Sequence, residues 1–569
     1  MKKKRNIIDF RPKFFEAMKN YSREKFSADV MAGIIVGVVA IPLAIAFGIA
    51  SGVGPTEGLV TAIVAGLLIS VFGGSKVQIG GPTGAFIIIV YGVVQQYGLS
   101  GLAIATIMAG IILVIMGLCH MGSIIKYMPY PIIIGFTGGI AITIFSTQIN
   151  DLMGLGIDDV PANFIDKWLC YFKNIGNVDW WSFVMGLLSI ALIALTPKFS
   201  KKLPGSLLAI IVMTLIAWVL REYAGVTSIK TIGDLYELPS GLPSLRMPEM
   251  EFEMGSIFAT IQALAPVAFT IAMLGAIESL LSAMVADGVI GDTHNSNTEL
   301  IGQGIANIVV PFFGGIPATG AIARTMANIN NGGKTPVAGV VHTLVLLLVL
   351  LLLGGVVGQI PMPCLAGVLI MVAYNMSGWR TIRSMYRSSM AGTGVLFVTL
   401  LLTVFFDLTL AIEVGLVMAV VIVLKRVTES ANISVMREHV DVHRDGEHDE
   451  TLSIPAGTEV FEIEGPFFFG VANKFDELTR DHDAMPIRVV RMRKVSFIDS
   501  TGLHNLEIFI KSSQNEGRVI ILSGVHENVE KSLRKSGIVK IVGKENVCRD
   551  IHLALDRAKQ VAEEKGLEK

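Results

Sequence analysis

The sequence predicts a polytopic α-helical membrane protein of about fourteen spans, ending in a smaller α/β domain, and three observations carry that reading. Of the 569 residues, 52% are hydrophobic and only 16% charged, where an ordinary soluble domain carries about 25% charged residues. Apolar windows of about 20 residues, enough to cross a bilayer, recur along the chain. Val30 to Ile49, Leu102 to Leu118 and Val337 to Leu353 are clear cases, and Val395 to Leu424 reads as two shorter spans. The apolar pattern then stops at Arg426, and a charged stretch follows.

In chain order, residues 1–28 form a basic leader, MKKKRNIIDFRPKFFEAMKNYSREKF at its start. It lacks the short apolar core and small-residue cleavage site of a signal peptide. Phe10, Phe14, Phe15, Met18 and Tyr21 predict an amphipathic helix near the membrane surface. Residues 29–426 are the membrane region. Lys198, Lys201, Lys202, Arg380, Arg383 and Arg387 share the side of the basic N-terminus. Asp151, Asp158, Asp159, Asp166, Asp234, Glu237, Glu249, Glu251 and Glu253 fall on the other. The excess of Lys and Arg on one side predicts cytoplasmic termini and, for a bacterial chain, the inner membrane. Asp407 and Glu413 flank the last turn and read as surface groups. Residues 427–450, with REHVDVHRDGEHDE, read as a linker. In residues 451–569, TEVFEIEG, IRVVRMRKVSFI and RVIILSG alternate like strands, with helical patterns between. Cys119, Cys170, Cys364 and Cys548 have no paired or metal-ligand spacing and read as isolated thiols.

One motif is written twice, as GGPTGAF from Gly80 to Phe86 and within GGIPATGAIARTMANINNGG from Gly314 to Gly333. Each copy falls in the third span of a seven-span half, and an odd number of spans per half inverts the second half. Paired Gly/Pro-interrupted segments at matching positions point to a transporter's midplane site. Pro82 and Pro317 suit a helix N-terminus, where a missing N–H costs nothing. Thr83 and Thr319 follow as helix-starting hydroxyls. Two such half-helices would aim free N–H groups and positive dipole ends at one point, an anion site made largely of backbone.

These residues resemble the sulfate permease (SulP) anion transporters with a C-terminal STAS domain. The resemblance rests on VAIPLAIAFGIASGVGP, GGPTGAF, AMLGAIESLLSAMVADG and GGIPATGAIARTMANINNGGKTP, with VSFIDSTGLHNL looking like the STAS signature. GAIESLL, PLAIAF and VAYNMSGWR look most like bacterial members that carry C4-dicarboxylates such as succinate or fumarate, and the bicarbonate carriers are close relatives. The resemblance implies two intertwined seven-span inverted repeats, a core and a gate domain, elevator-like movement and a homodimer. The anion would lie between the N-termini of spans three and ten, at Thr83, Gly84, Ala85 and Phe86 and at Thr319, Gly320, Ala321 and Arg324. Phe47 would wall the site. The implied STAS domain would bind a cytoplasmic regulatory protein.

Glu278 stands inside an otherwise apolar helix, where a carboxylate is costly and functional by default. A proton taken up and released there would couple transport to a proton gradient. In sodium-coupled bicarbonate relatives, an aspartate here and a hydroxyl one turn later hold the cation; in this chain the pair is Glu278 and Ser282, which share one helix face. That leaves sodium at Glu278, Ser282 and Thr319 as the alternative. Arg324 would attract the anion or balance Glu278. Ala321 and Ala323 replace the serines of eukaryotic members, and Leu43 stands where many members have glutamine. Asn295, Asn297 and Glu299 read as a helix cap. Asp499, Ser500, Thr501 and Gly502 occupy the STAS signature, with Thr501 at the position phosphorylated in stand-alone STAS proteins.

The leading expectation is therefore proton-coupled uptake of C4-dicarboxylates. Sodium- or proton-coupled bicarbonate or sulfate transport is the alternative, and a passive anion channel or STAS-mediated regulator the reading of another class. No nucleophile–base pair, metal cluster or phosphate loop stands out, so neither an enzyme, a cofactor nor a nucleic-acid partner is expected.

Overall fold

The computed structural model describes residues 10–567 apart from 20, 124–128, 158–159, 162, 200–203, 237–240, 246–256, 353, 389, 407, 431, 443–449 and 472–484. Asp158, Asp159, Lys201, Lys202, Glu237, Glu249, Glu251, Glu253 and Asp407, read above as loop charges, lie outside the described residues. The chain divides into two units, Met1–Val417 and Met418–Lys569.

The first unit opens with α1 (Lys13–Met18), whose Lys13 N–H donates to the Gly73 carbonyl at 3.0 Å. The amphipathic helix expected here is thus six residues long, with Phe15 exposed. The first half continues with α2 (Arg23–Ala50), α3 (Pro55–Phe72), α4 (Ile87–Leu118), α5 (Tyr130–Thr147) and its continuation α6 (Ile149–Met153). After α7 (Phe164–Lys173) come α8 (Trp180–Phe199) and α9 (Gly205–Ala224). Gly98, at a φ of 67°, breaks α4 into two arms, a conformation that glycine adopts without steric cost. Among the described residues, and setting aside α7, the half therefore has seven helical segments.

The short α10 (Ile232–Leu235) precedes α11 (Ile257–Ile290), α12 (Ser296–Val309), α13 (Ile322–Asn330) and α14 (Val337–Leu352). Then follow α15 (Gly354–Val357), α16 (Met362–Met376), α17 (Trp379–Ser388), α18 (Met390–Phe405) and α19 (Leu408–Ser430). Setting aside α15 and the basic α17, this half also has seven segments among the described residues. Eight helical stretches among the described residues are long and apolar enough to cross a membrane alone, and α14 and α18 are shorter apolar helices. The run from Val395 to Leu424 does divide into two, α18 and α19. Glu413 is exposed, as are Arg380, Arg383 and Arg387.

Packing sorts the helices into two groups. In one, α12 lies on α4 and α3, α14 on α2 and α3, and α11 on α4 and α13. In the other, α18 lies on α5, α16 on α8, α5 and α6, and α8 on α9. α2 and α16 meet along the seam between them. A Cβ on Gly110 would stand 2.7 Å from the Gly304 carbonyl oxygen, and one on Gly304 2.6 Å from that of Gly110. Small residues of this kind are what let membrane helices approach backbone to backbone. Between the halves, β1 (Gly80–Gly81) pairs antiparallel with β2 (Thr319–Gly320), Gly80 opposite Gly320 and Gly81 opposite Thr319.

The second unit is α/β, as the alternation predicted. β3 (Asn432–Met436), β6 (Thr458–Glu464), β7 (Ile487–Lys494), β8 (Val519–Ser523) and β9 (Val547–Cys548) form one sheet in that order, antiparallel at β3–β6 and parallel elsewhere. β4 (His439–Val442) and β5 (Glu450–Ser453) pair beside it as a separate ladder. The expected linker at 427–450 is thereby corrected. Its residues include the edge strand β3 and all of β4, because Ile433 and Val440 have apolar clusters to enter despite the surrounding charge. All four cysteines are free thiols.

Candidate functional site

The site is built from the two motif copies outward. Neither proline begins a helix, contrary to expectation. Pro82 follows β1 and Pro317 precedes β2, so a residue without an N–H sits just outside each short strand and leaves the ladder intact. Thr83 caps a turn of 3-10 helix, Gly84–Phe86, that runs into α4. Ala321 caps α13. First-turn N–H groups have no partner within their helix, which leaves those of Ile322, Ala323 and Arg324, and of Gly84 and Ala85, available at the two starts.

Both starts open on one cavity of about 420 Å³. From the motifs it is lined by Pro82, Thr83, Gly84, Gly320, Ala321, Ile322, Ala323 and Arg324. α2 adds Leu43 and Phe47, α11 adds Glu278, α5 adds Thr137, and α16 adds Val372, Asn375 and Met376. Backbone supplies most of the polarity, and the walls are largely apolar.

The two charged groups do not cancel by contact. Glu278 accepts a hydrogen bond from the Thr83 hydroxyl at 3.0 Å. Arg324 is 2% exposed, and its Nη2 donates to the Pro82 carbonyl at 3.1 Å. Arg324 Nη1 is buried with no hydrogen-bond partner among the described residues. Backbone shape makes room for it: Gly81 has a φ of 152°, and a Cβ there would run into that nitrogen. A buried guanidinium donor left open is expensive unless a ligand completes it.

Five expected residues lie elsewhere or work differently. Ala85 and Phe86 are 0% and 1% exposed and turn into the core, because a 3-10 turn rotates them away from Thr83 and Gly84. Thr319 is buried and donates to the Gly275 carbonyl at 2.8 Å. Ser282 is buried one turn below Glu278 and donates to the Thr325 hydroxyl at 3.2 Å. Glu278 is the only member of the expected sodium set, Glu278, Ser282 and Thr319, that lines the cavity. Thr501 is exposed in the first turn of the helix Ser500–Asn515, and the capping role belongs to Asp499, which accepts from the Gly502 N–H at 2.7 Å.

A second polar cluster, missed in the sequence, sets the motif loops. Asn295 caps α12 as expected, but Glu299 is a fully buried hub. It accepts from the Gly74 and Ser75 N–H groups at 2.7 and 3.2 Å, from Gln78 at 2.8 Å, from Ser279 at 3.0 Å and from Gln303 at 2.9 Å. Gln78 packs on Gly320, where a Cβ would collide with its amide. Asn307 clamps Ala318 on both its N–H and its carbonyl. Ile79 donates to Thr325 and accepts from the Ala321 N–H. The signal for these was available only as polar residues in apolar helices, without any partner named by spacing.

The sulfate permease family matches residues 26–399, and the STAS domain matches residues 451–555. The chain belongs to the sulfate permease family. It is 39% identical over 538 residues to "Putative sulfate transporter YvdB" of Bacillus subtilis, covering 94% of this chain and 98% of that protein. It is 30% identical over 519 residues to "Bicarbonate transporter BicA" of Synechocystis sp., covering 88% and 89%. The solved structure of the murine Slc26a9 anion transporter in its inward-facing state superposes with a TM-score of 0.84 over 97% of this chain and 94% of that one. At 18% identity that likeness is one of fold. The molecule is thus a multi-pass anion transporter with the SulP fold and a C-terminal STAS domain. The expected kinship with dicarboxylate carriers has no counterpart in these relatives, whose names concern sulfate and bicarbonate.

Proposed function

We propose that the chain is a secondary active carrier of a small inorganic oxyanion, bicarbonate or sulfate, driven by a cation that Glu278 takes up with each cycle. One observation carries the reading: Arg324 is buried at the start of α13 with Nη1 open, and it shares a cavity with a carboxylate to which it is not ion-paired. The open guanidinium and the free N–H groups suit an oxyanion. The separate carboxylate suits a proton or sodium ion. A channel has no need of such a group, and the relatives' names favour the inorganic anions over C4-dicarboxylates. In this reading the termini face the cytoplasm of a bacterial cell and the helix groups on either side of the α2–α16 seam move past each other, as a homodimer whose STAS domain receives a regulatory protein.

Proteoliposomes decide it. Radiolabelled bicarbonate, sulfate and succinate are offered with an imposed inward proton or sodium gradient, to wild type and Glu278→Gln. Concentrative uptake of bicarbonate or sulfate in the wild type, lost in the variant, is the expected result. Concentration of succinate alone would return the substrate to the dicarboxylates. Downhill leak with no accumulation of any anion would replace the carrier with a channel.

A further inference from the structure

A second cavity of about 400 Å³ lies at the face on which α2 ends. Three of the helices that line the Arg324 cavity, α2, α5 and α16, also line this one at other positions. On α2 the lining moves from Leu43 and Phe47 to Ile49 and Ala50, and on α16 from Val372 and Met376 to Met362 and Leu365. On α5 it moves from Thr137 to Thr147, which at 1.5 Å per residue is about 15 Å. The two cavities are stacked along one seam.

Lys167, on α7, points its chemistry into this outer cavity. The residue is 2% exposed, lines the cavity, and has no hydrogen bond or ion pair from its ammonium among the described residues. Lys167 Nζ lies over the Tyr91 ring, 6.0 Å from its centroid. A cation–π contact at that reach is weak beside the cost of burying an ammonium. Asp151 lines the same cavity and yet makes no ion pair with Lys167 within 4.0 Å, so no described carboxylate neutralises the ammonium by contact. Gln148, 4% exposed, adds an amide to the wall. Tyr91 is held in place by donating its hydroxyl to the Val160 carbonyl at 3.0 Å. A buried cation with no partner among the described residues, in a cavity of this size, calls for an anion.

We infer that this outer cavity is a second anion-binding site, in which the Lys167 ammonium holds a small oxyanion on the seam that leads to Arg324. The binding is independent of which ion drives transport; its place on the path rests on the carrier reading. Asp151 sets a distinctive sign. If Lys167 and Asp151 were a structural pair, neutralising either would harm the protein alike. In an anion site, removing the carboxylate removes a repulsion and tightens binding.

The test is equilibrium binding of radiolabelled sulfate to the purified full-length protein. Wild type should show two saturable sites, Lys167→Gln one, and Lys167→Arg two. Asp151→Asn should bind about tenfold more tightly at the outer site, the scale of one like charge removed from a partly buried position. Arg324→Gln separates this inference from the proposed function. A single wild-type site lost in Lys167→Gln and kept in Arg324→Gln would uphold the outer site and count against the inner one. Two sites of unchanged affinity in Lys167→Gln, or equal weakening by Lys167→Gln and Asp151→Asn, would overturn the inference.

Discussion

The two copies of the Gly-Gly…Pro…Thr-Gly-Ala motif share a backbone plan and divide the side-chain chemistry. Each contributes one short strand to the β1–β2 pair and then a helix start beside the cavity. In the first copy the Thr83 hydroxyl reaches Glu278; in the second the equivalent Thr319 hydroxyl is turned onto the Gly275 carbonyl. The second copy alone supplies a cation, Arg324, and the first alone supplies the glycine, Gly81, that leaves space for it. The lesson is that the repeat preserves the paired helix starts, the part of the cavity made of backbone. The departures from symmetry place the cavity's two charged groups, Arg324 and Glu278, on different partners.

The sharpest way to break this division is Arg324→Gln. It should reduce anion uptake and binding by roughly a hundredfold, the cost of removing one member of a desolvated charge contact. Glu278→Gln should reduce gradient-driven accumulation to the equilibrium level while anion exchange in counterflow continues, since the anion's own ligands remain. Gly81→Ala should lower stability by about 1–3 kcal/mol through its φ and its clash with Arg324, read as a lower Tm together with weaker anion binding. The paired variants Thr83→Val and Thr319→Val compare the copies directly. The first should shift the pH or sodium dependence of uptake; the second should leave that dependence alone and cost about 1 kcal/mol of stability. Last, Ala323→Ser restores a hydroxyl to the cavity and should tighten anion binding by no more than a few-fold, about 0.5–1 kcal/mol.

Much of the fold was legible because hydropathy and charge act over whole segments. The breaks at Gly98 and in the motifs left span counting intact, and the alternation of β6, β7 and β8 gave the C-terminal sheet. β3 and β4 were hidden by the charges around them, since a strand is recognised by the sheet that receives it. At the site, Thr83, Gly84, Gly320, Ala321, Phe47, Glu278 and Arg324 were named from sequence and do line one cavity. Thr137, Asn375 and Met376 were not named as site residues, because their helices, α5 and α16, reach the cavity only through tertiary packing. Phe86 and Ser282 were misplaced for a local reason. Their neighbours were right, but one turn of helix decided which way each side chain faced. Glu299 looked like a cap residue from its place near a helix start, and only the assembled fold shows the five donors converging on it.

The β1–β2 pair also bears on how the chain is made. Gly80 and Gly81 find their backbone partners in Thr319 and Gly320, on the far half of the sequence. Backbone groups at membrane depth cannot stay unpaired in lipid without cost. Until Thr319 and Gly320 are made, the Gly80 and Gly81 backbone groups have other partners to find. Such a distant pairing closes late. A chain interrupted before Thr319 would lack the partner of β1 and the Gly320–Arg324 wall of the cavity.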